Sequence, residues 1–149
     1  MNQIAERINK EAKGLFHVFV VLFFLLSPLH AANHDTQVEP LPTTISGVWE
    51  AIDKHMKAMD EAVANNQLDK IHHHAFAVRD LVNALPALSQ SLSSEKLAAV
   101  KRDSKYVDLL AVRLDKTGDT NDKEGTAANL QKLKKILTSI RGNYMAIHY

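Results

Sequence analysis

Apolar residues in this chain recur every three or four positions in four successive segments, with short polar breaks between them. That interval matches the α-helical turn and places each set on one helix face. The first segment, about residues 46–64, carries Trp49, Ile52, Met56, Met59 and Val63. The second, about 68–85, carries Leu68, Ile71, Ala75, Val78, Val82 and Leu85, and Pro86 is expected to disturb or end it. The third, about 94–114, presents Leu97, Val100, Ser104, Val107, Ala111 and Leu114. The fourth, about 126–149, presents Leu130, Leu133, Leu137, Ile140, Tyr144 and Ile147. Asn65-Asn66, the serine-rich 89–94 stretch and the loop 117–122 separate them. A one-sided helix must bury its stripe against neighbours. Four such helices with short joins predict an all-α fold, an antiparallel up-down-up-down four-helix bundle over residues 45–149.

Composition narrows the chemistry. The chain has 149 residues and no cysteine, so disulfides, thiolate metal sites, iron–sulfur clusters and covalent Cys-x-x-Cys-His haem attachment are excluded. Five glycines are too few for a turn-rich sheet protein. Ser-His-Asp order, a phosphate-cradling glycine loop and paired catalytic carboxylates are all missing from the sequence, which therefore reads as a non-enzyme. The acidic stretch Asp115 to Glu124 invites a calcium reading but fails it. Counted from Asp115, position six is Thr120 and position twelve is Thr126, where an EF-hand needs glycine and glutamate.

The N-terminal stretch has a different character. Arg7, Lys10 and Lys13 precede an apolar run from Leu15 to Leu26, Ser27-Pro28 breaks it, and Ala31-Ala32 offers small residues for cleavage. This is the layout of a secretory signal over residues 1–31, with a flexible lead-in over 32–44. A retained anchor is the rival reading, although a spanning helix needs about 20 apolar residues. Export predicts a periplasmic protein. Cleavage would leave 15 cations and 15 anions, a neutral balance that predicts no nucleic-acid partner and no membrane partner after signal removal.

His72-His73-His74 is the most unusual local feature. Successive helical residues point about 100° apart, so the three cannot converge on one ion. Relative to the apolar stripe, His73 faces solvent, and His72 and His74 flank it on opposite sides. A site needs ligands from a second helix. The first helix offers His55, Met56 and Met59, and a turn near Asn66 brings His55 within about one helical turn, roughly 5 Å of axial offset, of His74. His55 and His74 are the expected primary ligands, Met59 and Met56 secondary, with His72 a further candidate. Imidazole with thioether suits copper first, and imidazole alone also suits zinc or nickel. The alternative is that Met56 and Met59 fill the core and the histidines are hydrogen-bonded edge residues.

Residues 45–149, in length, stripe and the last-helix segment Leu137-Thr138-Ser139-Ile140-Arg141-Gly142-Asn143-Tyr144, resemble the exported four-helix b-type cytochromes of Gram-negative bacteria. The resemblance implies haem between a methionine early in helix one and a histidine late in helix four. Trp49 and Met145 stand at those positions, so both axial ligands are replaced and haem is not expected. Met56 and His148 are alternative ligands in another register. The segment His74-Ala75-Phe76-Ala77-Val78-Arg79-Asp80-Leu81 is similar to one in small exported helical proteins linked with heavy-metal resistance. The expected function is a haem-free periplasmic metal buffer, carrier or sensor. The alternatives are b-type haem electron transfer and a ligand-free protein that binds a periplasmic partner.

Overall fold

The computed structural model describes residues 40–145, and these form four α-helices, one short 3₁₀ turn and no strand. The helices are α1 (Ile45–Ala64), α2 (Ile71–Leu88), α3 (Ser94–Asp119) and α4 (Lys123–Gly142). The 3₁₀ turn, Leu68–Lys70, leads directly into α2. The readings placed on residues 1–39 and on Ile147 and His148 lie outside the described residues. No helix among the described residues is long and apolar enough to cross a membrane.

Local chemistry sets the helix ends. The Thr44 hydroxyl accepts the Gly47 N–H at 3.1 Å, the Ser93 hydroxyl accepts that of Lys96, and the Asp122 carboxylate accepts that of Gly125. Each cap satisfies an N–H that the first turn leaves unpaired. After α1 and after α3 the chain enters the left-handed region at an asparagine, Asn66 with φ 55° and Asn121 with φ 54°. The following N–H groups then fold back, Gln67 to the Ala62 carbonyl and Asp122 to that of Thr117, both at 2.8 Å. Asparagine tolerates this conformation better than other residues with a side chain, so the two joins use the same device.

Several boundaries differ from the sequence expectation. Pro86 does not end α2, which continues to Leu88. The bond forfeited at the proline nitrogen lies in the last turn, and the Ser89 hydroxyl donates to the Leu85 carbonyl one turn before it. Helix α3 runs through the expected loop to Asp119, because Thr117 bonds back to the Arg113 carbonyl and Gly118 is buried against the next layer. Helix α4 begins at Lys123, three residues early, on the Asp122 cap, and ends at Gly142.

Helix α2 packs against α1 and α3, α3 packs against α4, and α4 meets α1 along a narrower contact. The core follows the sequence stripes closely. All six second-segment residues are buried, as are Leu130, Leu133, Leu137 and Ile140 of α4, whereas Leu97 and Val63 are only half-buried. Val48, Ala62, Leu81 and Leu110 widen the buried faces beyond the minimal stripes. Gly118 allows a close approach of backbones: a Cβ there would lie 2.8 Å from the Leu68 carbonyl oxygen. The α3 end is thereby seated on the 3₁₀ turn that starts α2.

Candidate metal site between α1 and α2

His55 lies on the α1 face toward α2 and is 9% exposed. His74 lies in the first turn of α2 and is half-buried. Their Nδ1 atoms are 3.0 Å apart. One ring carries a proton at Nδ1 and the other accepts it, so the pair is a hydrogen bond between two imidazoles. The His74 pKa is pushed below the usual 6.5, first by burial and then by the positive charges His55, His73, Lys54 and Lys70 bring near it. His74 is therefore held neutral at pH 7, the protonation state that can ligate a metal.

His73 stands at the exposed rim, its ring centroid 6.1 Å from that of His55 and 5.2 Å from that of His74. His72 points away to α3, where its Nδ1 is 2.6 Å from an Asp115 carboxylate oxygen and its ring meets the Phe76 edge. Phe76 also carries the Arg79 guanidinium over its face at 4.5 Å. Met56 and Met59 belong to the hydrophobic core, 9% and 0% exposed. Of the five sequence candidates, His55 and His74 are thus brought into contact, His72 is committed to α3, and the two methionines are packed among apolar side chains. Among the described residues no three His, Cys, Asp or Glu side chains are grouped to hold a metal ion. Asp80 pairs with the adjacent Arg79 at 2.8 Å.

Trp49, at the position the cytochrome resemblance assigns to the helix-one haem ligand, lies where α1 and α4 meet. Trp49 is 9% exposed, its ring edge-on to Tyr144 at 6.0 Å and covered by the Arg141 guanidinium at 4.4 Å. Its Nε1–H has no hydrogen-bond partner among the described residues. These side chains, with Ser46, Glu50 and Asp53, line an open cleft of about 490 Å³. Indole nitrogen is a donor only and offers iron no lone pair. Met145 is 63% exposed. At these two positions the chain thus presents an indole without a free lone pair and a solvent-exposed thioether.

Sequence reasoning missed the Asp115 partner of His72 and the buried polar link between α3 and α4. Asp103, 4% exposed, accepts from Ser139 at 3.0 Å and from the Arg102 Nε–H at 3.0 Å. The signal was an aspartate adjacent to the third stripe, at Ser104 minus one. No protein-family model, curated protein or solved structure matches this chain.

Proposed function

We propose that this is an exported, non-enzymatic four-helix protein that binds one transition-metal ion, copper first and then zinc or nickel, through the imidazoles of His55 and His74. The observation that carries the reading is the 3.0 Å separation of the two Nδ1 atoms. Metal–imidazole bonds are about 2.0–2.1 Å long, so two neighbouring ligands of one ion lie about 2.9–3.4 Å apart. An ion can replace the shared hydrogen bond without drawing the helices together. The ring protonated at Nδ1 moves that proton to Nε2, which frees both Nδ1 lone pairs for the ion. Two protein ligands leave further positions to water or to a ligand from outside, which fits a buffer or carrier better than a permanent structural ion. With the thioethers packed in the core, the preference for copper rests on imidazole chemistry and on the divalent-ion affinity order, which peaks at Cu²⁺.

The helices run up-down-up-down in this reading, and pairs of contacts support it. Asp53 of α1 meets Arg141 of α4, and seven residues on Asp60 meets Lys134, seven residues back. Asn83 meets Asp108 and His72 meets Asp115, so α2 descends as α3 rises. The basic, apolar and small-residue order of residues 1–31 supports export to the periplasm with signal cleavage.

The test is the metal content and visible spectrum of the untagged protein isolated from its own compartment. Near-stoichiometric copper, zinc or nickel is expected. A Soret band would overturn the haem-free reading. A colourless protein that also fails to take up copper on titration would overturn metal binding.

A further inference from the structure

The near-neutral charge of the chain conceals an uneven distribution on α3. Three large apolar side chains lie exposed along its outer face, Tyr106 at 56%, Leu109 at 45% and Val112 at 54%. At 100° per residue they span an arc of about 120° centred on Leu109. Arg102, Lys105, Arg113 and Lys116 fall within the same arc, all exposed. They extend the face to about 21 Å along the helix axis. The carboxylates of this part of α3 are turned off the arc and engaged by neighbours: Asp103 by Ser139, Asp108 by Asn83, Asp115 by His72. Lys105, Arg113 and Lys116 make no ion pair among the described residues. Arg102 is paired with Asp103, so the face is an apolar ridge with Lys105 at one end and Arg113 and Lys116 at the other.

We infer that this face of α3 docks on an anionic phospholipid surface. Charge complementarity names an anionic partner, and the shape selects among anionic partners. The ridge is the convex side of a single helix, formed by side chains that stand out into solvent. A bilayer interface accepts such a ridge: tyrosine and short aliphatic groups enter the headgroup boundary while lysine and arginine reach the phosphates. Each cation near an anionic surface strengthens binding about fivefold at moderate salt, and the effect fades within a Debye length. The inference does not depend on metal binding.

The test compares two variants of the full chain on vesicles of phosphatidylcholine with 30% phosphatidylglycerol. One variant is Lys105→Gln/Arg113→Gln/Lys116→Gln. The other removes the same charge from other faces, Lys57→Gln/Lys70→Gln/Lys134→Gln. Both keep residues 1–39 unchanged, so any contribution of that segment cancels in the comparison, and far-ultraviolet circular dichroism confirms equal helicity. The α3 variant is expected to bind about 100-fold more weakly than the second, with the difference vanishing at 1 M salt or on pure phosphatidylcholine. Equal binding by the two variants would overturn the inference. So would loss confined to a polyglutamate matrix with vesicle binding unchanged, which would assign the face to an acidic protein.

Discussion

Gly118→Ala is the substitution that most sharply probes how α3 is seated on the start of α2. On an open helix surface alanine is favoured over glycine by about 0.8–1.0 kcal/mol. At Gly118 the new Cβ would lie 2.8 Å from the Leu68 carbonyl oxygen and 3.4 Å from the Ile71 Cβ. Ordinary contact begins at 3.4 Å, so the Leu68 oxygen must recede by about 0.6 Å. That oxygen is backbone and cannot swing aside as a side chain would. Overpacking of this kind costs about 1–3 kcal/mol, which exceeds the propensity gain over most of its range. The expected net effect is a destabilisation of about 1 kcal/mol. Gly142→Ala is the control, since nothing lies within 4 Å of its Cβ, and at the end of α4 it should change stability by only a few tenths of a kcal/mol, in the favourable direction. Urea unfolding followed at 222 nm measures both. If Gly118→Ala proves more stable than the parent, the close approach between α3 and the 3₁₀ turn is wrong, and so is the register that sends His72 to Asp115.

Other expectations follow from burial and protonation. The His74 pKa is lowered, so below the unfolded value of 6.5 the unfolded chain holds more protons than the folded one. Stability is full above pH 6.5 and declines as pH falls below it toward the lower folded value. Urea midpoints between pH 7.5 and 5 should show this, and His74→Gln should flatten the slope; an unchanged slope would refute it. Met59→Leu conserves volume at a fully buried core position and should cost less than about 1.5 kcal/mol while leaving copper affinity unchanged. A tenfold affinity loss in that variant would make the thioether a ligand.

Much of the helical layout is legible in the sequence because burial follows a period that the residues display openly. Leu68, Ile71, Ala75, Val78, Val82 and Leu85 are all buried, in the order their spacing predicts. The approach of His55 to His74 is legible for the same reason: one short join and the helical rise fix their relative height. What depends on the fit between non-consecutive surfaces is not legible. The extension of α3 to Asp119 runs against local propensity at Thr117-Gly118-Asp119, and becomes favourable only when Gly118 meets Leu68. The persistence of α2 past Pro86 rests on Ser89, whose hydroxyl donates to Leu85 and accepts from Tyr144, 55 residues away. The basic face of α3 escapes a whole-chain charge count because the acids that balance it are engaged off that face.

The most direct measurement is a competition titration of the full chain with copper, set beside the His55→Ala/His74→Ala double variant at pH 7.5, with helicity checked for both. The account predicts one ion per chain for the parent and an affinity loss of at least 100-fold in the double variant with helix content retained. Copper bound as tightly by the double variant as by the parent would contradict it.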